Sequence, residues 1–490
     1  MTMNRTGFFP VLVLTFLLAG FSGTASHAHG NGAGHADLAE RLLPSVVSIF
    51  TETEVAGGNR SGTNPYSGTP FEEFFERFFD RQNPDKEDSE PRSAPWALGS
   101  GFIIHEDGDI VTNAHVIDKA SRILVRLDDG TEYEATVVAT DSKTDIALLR
   151  VEADDALPAV AFGDSDVVRI GDVALAIGNP FGFGNSVTTG VISARQRDIN
   201  AGPYDQFLQT DAPINRGNSG GPLFNIDGEV VGVNTLIYSP SGGSVGIGFA
   251  VPSNVVAHVV SQLKEFGRTR RGWLGVRIQP VTPEIAEGLD LPEASGALVA
   301  SVTPDSPAEA AGFQIGDTIV RFNGIPIDDM RELPRAVVRT EVGLEVEVIV
   351  IRDGEEHAID VVLGELEAYE ASLAGATDES GDSAESAEDV QEEILLGMEI
   401  RPVNAELARE LGLDDDATGL VVTRVEQDGP ADRGGVQAGD ILLHVGREAV
   451  ESVEQVRDLL EAARGRNAQS VVVLIEREGD PRYLALEIGD

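Results

Sequence analysis

Short apolar runs, each broken by Gly, Asp or Asn, fill the part of the chain between Leu98 and Pro252. Runs of this kind are typical of the strands of an antiparallel β-barrel. The clearest predicted strands are Gly101–Ile104, Ile123–Leu127, Ile146–Arg150, Val173–Ile177 and Val230–Thr235. The pattern therefore predicts a mainly β region in the first half of the chain.

The first apolar run, from Phe8 to Ala19, has a different character. Arg5 precedes it and small residues follow it as far as Ala28, which is the pattern of a secretory signal peptide. Its length of about 12 residues is below the ~20 that a membrane-spanning helix needs. We expect a cleavable signal peptide over residues 1–28, with an uncleaved anchor as the alternative.

Two polar stretches separate the apolar regions. Residues 51–97 are rich in Gly, Pro, Asn and acids, and they contain five phenylalanines at helical spacing: Phe71, Phe74, Phe75, Phe78 and Phe79. These side chains indicate either a short helix packed on its own domain or an oligomeric or regulatory contact. Residues 365–393 hold eleven acidic residues and no Lys or Arg, which predicts a solvated, self-repelling linker.

A repeat with a constant offset of 123 residues flanks this linker. Four segments recur: Gly296–Val299 as Gly419–Val422, Pro307-Ala308 as Pro430-Ala431, Gly312 as Gly435, and Gly316-Asp317 as Gly439-Asp440. The shared register indicates a duplicated domain. Two copies are too few for a solenoid, so we expect two independent modules on a tether.

Composition narrows the functional class. The 490 residues carry 36 Lys+Arg against 82 Asp+Glu, a net charge of −46, which excludes most nucleic-acid binders because phosphates would be repelled. The absence of cysteine removes disulfides, thiolate nucleophiles and Cys-bound zinc. Only four of the basic residues are lysines. Such an acidic surface suggests adaptation to saline surroundings, since salt near 1 M shortens the Debye length to about 3 Å.

The segment Gly217-Asn218-Ser219-Gly220-Gly221-Pro222 is the strongest chemical signal. A serine becomes a nucleophile only when a base removes its proton and dipoles stabilise the new oxyanion. A glycine at 217 allows backbone dihedrals that direct the N–H groups of Gly217 and Ser219 inward as an oxyanion hole. The glycines at 220 and 221 are expected to leave room for the substrate. A Gly-rich hairpin without catalytic function is the alternative.

Among the eight histidines, His115 is the best candidate for the base. It follows an apolar strand in Thr112-Asn113-Ala114-His115-Val116, among small residues that permit close packing of an imidazole. Asp145 leads directly into an apolar strand, where an acid is costly to bury unless it is paired, although a turn residue would look the same. The chain order His115, Asp145, Ser219 is an order known for this triad on a double barrel, and it predicts these three catalytic residues.

The motifs around His115, Asp145 and Ser219, followed by two repeats, resemble those of the Deg/HtrA family of periplasmic serine proteases. The resemblance implies a mainly β fold, with a chymotrypsin-like double β-barrel protease domain followed by two α+β PDZ domains. It also implies a homotrimer able to form larger oligomers. The implied activity is ATP-independent degradation of misfolded or unfolded envelope proteins, with chaperone activity in some members.

The resemblance assigns further residues. Gly217 and Ser219 match the oxyanion-forming amides, and Ile214 and Ile237 match positions that line the specificity pocket. Pro213 lies six residues before the serine, where an acid would be expected for Lys or Arg specificity, so we expect cleavage after small or medium aliphatic residues. Arg197 matches the sensor-loop arginine that relays activation, with a solvated charge as the alternative.

Each repeat resembles a PDZ domain, which binds an extended C-terminal peptide by strand addition and holds its carboxylate with backbone amides. The expected carboxylate-binding loops are Trp273-Leu274-Gly275-Val276 and Leu395-Leu396-Gly397-Met398. The cysteine pair that some family members carry in the long regulatory loop is missing here, so redox control is not expected.

The predicted organisation has five parts. They are a signal peptide (1–28), a protease domain (36–268, with 51–97 as a regulatory loop), a first PDZ domain (270–365), an acidic linker (366–393) and a second PDZ domain (394–490). The expected location is the periplasm, and the expected partners are unfolded proteins and C-terminal peptides, without nucleic acid, cofactor or metal; membrane contact is possible but not indicated. A holding chaperone or peptide-binding scaffold, and a processing protease with one substrate, are the alternatives.

Overall fold

The computed structural model describes residues 34–52, 98–179, 184–199, 206–215, 217–240, 243–374, 393–403, 419–466 and 468–488. The predicted signal peptide, the phenylalanine cluster and most of the acidic linker lie outside these residues. The described chain begins with helix α1 (His35–Leu42) and a 3₁₀ turn (Leu43–Ser45), which lead directly into the first strand.

Six antiparallel strands form the first closed barrel. They are β1 (Val46–Glu52), β2 (Leu98–His105), β3 (Asp109–Asn113), β4 (Arg122–Arg126), β5 (Glu132–Asp141) and β6 (Ile146–Val151). They pair in the order β1-β2-β3-β6-β5-β4. Strand β6 is buried except at Arg150, which explains why it reads as a near-continuous apolar run in the sequence. Strand β3 is buried throughout although it carries the polar residues Asp109, Thr112 and Asn113. A second 3₁₀ turn, Ala114–Val116, follows β3.

The second barrel has the same size. Its strands are β7 (Val173–Gly178), β8 (Ser186–Arg197), β9 (Phe207–Thr210), β10 (Pro222–Phe224), β11 (Val230–Ile237) and β12 (Gly248–Pro252), in the order β10-β11-β12-β9-β8-β7. Helix α2 (Ser253–Phe266) follows β12. One apolar cluster includes Phe102 of the first barrel, Val233 of the second and Leu263 of α2, so the barrels share a core. The predicted double β-barrel is confirmed.

Two α+β modules follow, as predicted. The first contains β13 (Gly272–Trp273), β14 (Val276–Pro280), α3 (Pro283–Gly288), β15 (Ala297–Val302), α4 (Pro307–Ala311), β16 (Thr318–Phe322), β17 (Ile325–Pro326), α5 (Glu332–Arg339), β18 (Glu345–Arg352), β19 (Glu355–Val362) and β20 (Gly364–Glu365). Helix α6 (Leu366–Ala374) comes next. The second module contains β21 (Glu393–Leu395), β22 (Met398–Pro402), β23 (Leu420–Val425), α7 (Pro430–Arg433), β24 (Ile441–Val445), β25 (Glu448–Ala449), α8 (Val453–Gly465), β26 (Ser470–Arg477) and β27 (Asp480–Glu487).

The Gly-Asp pair of the sequence repeat has the same structural role in both modules. Asp317 is 1% exposed and accepts hydrogen bonds of 2.7 Å from Nε and Nη2 of Arg352. Asp440 and Arg477 repeat this pairing at 2.6 and 2.7 Å. The hydrogen bonds to the carboxylates raise the pKa of both arginines above the ordinary value. The recurring aspartate is therefore a buried partner that fixes the last residue of a neighbouring strand.

The expectation of two independent modules is wrong, because the modules pack against each other. Leu289 and Leu298 of the first module share an apolar cluster with Val472 and Tyr483 of the second. The Gln279 side chain both donates to the Tyr483 carbonyl (3.1 Å) and accepts from the Tyr483 N–H (2.6 Å). Burial raises the pKa of the Tyr483 hydroxyl. The modules therefore form a joint apolar interface.

The expectation of a solvated linker is also wrong for its first residues. Glu367 of helix α6 pairs at 2.8 Å with Arg271, just before β13 of the first module. Glu370 pairs at 2.5 Å with Lys143, in the turn between β5 and β6 of the first barrel. The ring of Tyr369 stacks on Trp273 with a centroid distance of 4.0 Å. Two acids that the sequence pattern assigned to solvent are thus partners in ion pairs, and the pair of Glu370 joins helix α6 to the first barrel.

Candidate active site

The structure brings His115 and Asp145 into direct contact. The 3₁₀ turn after β3 presents His115, and the turn before β6 presents Asp145. The Asp145 carboxylate accepts from His115 Nδ1 at 2.6 Å and from the His115 backbone N–H at 2.9 Å. The two side chains are only 6% and 4% exposed. Because an ionised carboxylate only accepts, the ring proton lies on Nδ1 and leaves Nε2 with its lone pair.

The backbone of Asp145 is held as firmly as its side chain. Its φ of 57° lies in the left-handed region, which Asp tolerates better than most residues. The Asp145 carbonyl accepts from the Ala114 N–H (3.0 Å) and from Asn113 Nδ2 (2.8 Å). The strained turn is therefore fixed from the segment that carries His115.

A buried ion pair supports the other end of this turn. Asp141 accepts from Thr144 Oγ1 at 2.5 Å, from Arg271 Nη2 at 2.5 Å and from Thr269 Oγ1 at 3.2 Å. Burial would by itself lower the pKa of Arg271, but Asp141 and Glu367 hold that pKa above its ordinary value. This turn is thus tied to the segment that enters the first PDZ module.

Ser219 lies on the loop before β10, partly exposed. Its hydroxyl donates to the Thr235 carbonyl at 3.4 Å. Gly217 has a φ of 99°, as expected for a glycine that turns its amide inward. Within the described part of the chain, neither the Gly217 N–H nor the Ser219 N–H donates to another group. Both amides are therefore available to a ligand.

Ser100 holds this loop against the first barrel. Its buried hydroxyl donates to the Gly217 carbonyl at 2.5 Å and accepts from the Asn179 N–H at 2.8 Å. Its backbone N–H donates to the Ser219 carbonyl at 2.9 Å. No sequence pattern assigned a function to Ser100. In the structure it fixes the loop that carries Ser219.

Gly220 has a different task from the one that the sequence suggested. A Cβ at this position would lie 2.3 Å from both the Ser100 carbonyl oxygen and Thr112 Oγ1. A Cβ at Gly221 would lie 2.6 Å from the Ile177 carbonyl oxygen. The glycines therefore permit close packing of the loop on the barrels, and the expected room for substrate is not their main structural role.

Asn113 connects the segments of Asp145 and Ser219 across the two barrels. Its side-chain amide donates both to the Asp145 carbonyl at 2.8 Å and to Thr235 Oγ1 at 3.1 Å. Thr235 in turn accepts from Ser219. Asn113 lies two residues before His115 in the quoted motif, but Thr235 lies 122 residues after Asn113, and nothing local in the sequence points to it.

Ile214 and Ile237 lie in one apolar cluster of the second barrel, 2% and 8% exposed. Gly248 on β12 is next to Ile214, and a Cβ there would approach the isoleucine Cγ1 to 2.8 Å. Pro213 is exposed and its carbonyl accepts from Thr188 Oγ1 at 3.0 Å. The two predicted pocket residues are thus close to each other in an apolar setting.

Arg197 ends strand β8, is exposed, and donates to Gln209 Oε1 at 3.0 Å. The neighbouring Asp198 pairs with Arg331 of the first PDZ module at 3.1 Å. Arg339 of that module donates to Gln206 at 2.7 Å. Asp198, just after β8, and Gln206, just before β9, thus both contact the first α+β module. The sequence analysis did not predict these contacts.

The two predicted carboxylate-binding loops differ. In the first, Leu274 is buried and Gly275 has a φ of 87°, while Trp273 stacks on helix α6. In the second, Leu396 and Gly397 form a tight turn, with Leu395 before it and Met398 after it on paired strands.

A cavity of about 280 Å³ lies between α2 and α5. His258 lines it, and burial together with the charges of Arg271 and Arg339 lowers the pKa of this histidine. Among the described residues there is no group of three His, Asp or Glu side chains able to hold a metal ion. No helix in the described ranges is long and apolar enough to cross a membrane.

Protein-family models match three regions of the sequence. Residues 99–233 match a trypsin-like peptidase domain, and residues 272–363 and 421–477 each match a PDZ domain. Among solved structures, the HtrA-type protease AlgW with tripeptide is 37% identical with a TM-score of 0.56, covering 68% of this chain and 97% of that one. The same protease with decapeptide gives 37% and 0.55, covering 68% and 98%.

Curated relatives match over almost their entire length. Proteins named probable periplasmic serine endoprotease DegP-like are 39% identical in Rhizobium meliloti (strain 1021), covering 92% of this chain and 91% of the relative. The proteins of that name in Halomonas elongata and Marinomonas sp. (strain MWYL1) are 40% and 42% identical, covering 92% and 93% of both chains. The chain is a serine endopeptidase that belongs to the HtrA family of DegP-like endoproteases.

Proposed function

We propose that the chain cleaves unfolded envelope proteins with a triad of Ser219, His115 and Asp145. The observation that carries the proposal is the double contact of the Asp145 carboxylate with His115, through Nδ1 and the backbone N–H. This contact fixes both the orientation and the tautomer of the imidazole, which leaves Nε2 to act as the base.

The proposed reaction has two steps. His115 Nε2 takes the proton of Ser219 while Oγ bonds to the scissile carbonyl carbon; the imidazolium then gives this proton to the leaving amine as the C–N bond breaks. Water repeats the sequence on the acyl-enzyme and releases the acid. The N–H groups of Gly217 and Ser219 hold the oxyanion in each step, and one such donor is worth about 10²–10³ in kcat. Water is the sole co-substrate, so no ATP is required.

The side chains of Ile214 and Ile237 support an apolar specificity pocket, 2% and 8% exposed. A pocket of this kind favours small or medium aliphatic residues before the cleaved bond, because a charged side chain would be buried without a partner. Peptide binding by the AlgW relatives, whose structures contain a tripeptide or a decapeptide, supports peptide binding by the PDZ modules here.

We further propose export to the periplasm by residues 1–28, a homotrimer as the basic assembly, and the domain limits 36–268, 270–365 and 394–490. Arg197 is proposed to relay activation, since its neighbour Asp198 contacts the first PDZ module. A mass measurement with and without unfolded substrate tests the assembly. Loss of signal-peptide residues from the mature N-terminus, read by Edman or mass sequencing, tests the export.

The triad is tested with Ser219→Ala and unfolded casein as substrate. The variant should lose all measurable hydrolysis, whereas Ser121→Ala, which makes the same change at an exposed serine, should keep it. Unchanged cleavage by Ser219→Ala would refute the assignment. The same variant tests the holding-chaperone alternative, because a chaperone would still suppress aggregation of a model substrate without cleaving it. Broad cleavage of casein by the unaltered chain would count against a processing protease with one substrate.

A further inference from the structure

The two PDZ modules differ at the sheet edge to which a PDZ ligand adds a strand. In the first module β13 pairs with β20, so β14 is bonded to β15 on one side and, among the described residues, to no strand on the other. In the second module β22 lies between β23 and β21. The accepting edge is therefore open in one module and filled in the other.

The filling strand has the direction of a ligand. Strand β21 is antiparallel to β22, and its last residue, Leu395, pairs with Met398 at the start of β22. A bound C-terminal peptide also runs antiparallel to the accepting strand, with its last residue at the loop that precedes this strand. Residues Glu393–Leu395 therefore occupy the place of the last three residues of a ligand.

The loop itself has changed to permit this arrangement. Leu396 and Gly397 have φ values of 53° and 78°, which make the two-residue turn of a hairpin. In the first module Gly275 is left-handed at 87° while Leu274 keeps a negative φ. A left-handed leucine is unfavourable by itself, so surrounding contacts must hold it. Leu395 and Leu396 supply such contacts, because both pack on the core of the second module.

Both carboxylate-binding loops nevertheless keep one equivalent backbone hydrogen bond. The Leu274 carbonyl accepts from the Ala308 N–H at 2.8 Å, and the Leu396 carbonyl accepts from the Ala431 N–H at 3.0 Å. The hydrogen bonds between β14 and the second module in the described residues come from the side chains of Gln279 and Arg277, and the described strands leave the second edge of β14 unpaired. The modules thus differ at the ligand position and not in general shape.

We propose that β21 is an internal ligand of the second PDZ module and closes the edge of β22 to any other peptide. The inference rests on the proposed peptide binding and adds the segment that keeps a peptide out of the second module. The peptide is an extended segment with a free carboxylate and an apolar last residue, since the loop offers backbone amides and buried Leu274.

Peptide counting tests this assignment on the full chain with Ser219→Ala, which prevents cleavage. The probe is a decapeptide that ends in valine with a free carboxylate, measured by titration calorimetry, with the C-terminal amide of the same peptide as a control. One equivalent per chain is expected. Two equivalents would overturn the inference, and no binding at any concentration would refute the proposed peptide function on which it rests.

A pair of proline variants then opens the second module selectively. Residues that flank a two-residue turn form a hydrogen-bonded pair, and pairs alternate along the ladder. Leu395→Pro therefore removes a ladder donor, while Ile394→Pro, at the adjacent non-bonded pair, keeps the donors and serves as the matched control. We expect a second equivalent of peptide with Leu395→Pro alone. A single equivalent with every variant would overturn the role of β21.

Hydrogen exchange gives a readout that does not depend on peptide binding. In the free protein the amides of Met398 and Ile400, which face β21, should exchange at least tenfold more slowly than those of Val276 and Ile278 in β14, because only β22 has a partner on both sides. Leu395→Pro should remove this difference, and Ile394→Pro should leave it. Equal exchange of the two strands in the unaltered protein would overturn the occlusion even if one peptide is bound.

Discussion

Replacement of Gly220 by alanine tests how the loop that carries Ser219 is fixed. The backbone at Gly220 has a φ of 82°, and a left-handed conformation costs a residue with a Cβ about 1–2 kcal/mol. The new Cβ would also lie 2.3 Å from the Ser100 carbonyl oxygen and from Thr112 Oγ1. Relief of such overpacking by movement of the backbone costs about 1–3 kcal/mol. Together the two terms predict a destabilisation of about 2–5 kcal/mol.

Gly171→Ala is the matched control, because Gly171 has a φ of 94° and no atom within 4 Å of its would-be Cβ. It carries only the conformational cost. The difference between the variants is then about 1–3 kcal/mol, and at 2–4 °C per kcal/mol for a domain of this size, Gly220→Ala should unfold about 2–12 °C lower than Gly171→Ala. Thermal unfolding in a Ser219→Ala background, which avoids autolysis, measures this difference.

With Ser219 intact, Gly220→Ala should also lower casein hydrolysis by about 10²-fold, since a displacement near 1 Å at the nucleophile has that effect. Gly171→Ala should hydrolyse casein at the original rate. Equal melting temperatures and equal activities for the two variants would refute the reasoning, because the loop would then tolerate a side chain against the first barrel.

Four other results are expected. Asp145→Asn should lower kcat by about 10⁴-fold while casein binding is kept, because the amide cannot hold the proton on His115 Nδ1; rate measurements under saturating substrate decide this. Arg271→Met should lower the stability of the protease domain by about 3–5 kcal/mol, because Asp141 is left buried without its charge partner; chemical unfolding measures the loss. The lowered pKa of His258 means that its contribution to stability is present above the unfolded pKa and is lost as the pH falls through the folded one. His258→Gln should therefore have a flatter dependence of melting temperature on pH below about 6.5 than the unaltered chain. The melting temperature should rise between 0.1 and 1 M NaCl, because screening weakens the repulsion of a net charge of −46; an unchanged or falling value would contradict adaptation to salt.

The sequence predicted the features that depend on neighbouring residues. The strands β2, β6, β7 and β11 were found from their apolar runs, which are buried on both faces and carry a strong local signal. The contact of His115 with Asp145 could be anticipated because each lies at the end of a buried strand, where a polar side chain is costly to bury without a partner.

Features that depend on distant segments were missed. Asn113 donates to Thr235 only because the two barrels meet at the site. No pattern in the sequence around either residue predicts this contact. The contact of the two PDZ modules was missed for a related reason. Val472 and Leu474 lie on the face of β26 that packs against the first module, while the other face of this strand packs in the core of its own module. Such a strand is apolar throughout, and its sequence does not show that two different cores bury it.

The bias towards arginine and the excess of acid have different physical origins. Several carboxylates are almost fully buried and each accepts from an arginine, as with Asp141, Asp317 and Asp440. A planar guanidinium can bond one carboxylate at two points, whereas an ammonium is a single strongly hydrated charge, so buried acids favour arginine over lysine. These pairs add no net charge and are screened little by salt. Among the described residues Asp109 and Asp145 are also buried, while the other acids are partly or fully exposed. Salt should therefore stabilise the protein through the exposed acids while it leaves the buried pairs intact. Comparing Arg352→Met with the unaltered protein at low and at high salt separates the exposed acids from the buried pairs. Arg352→Met removes the partner of Asp317. The decrease in melting temperature that it causes should be the same at both salt concentrations, even as the melting temperatures of both proteins rise with salt.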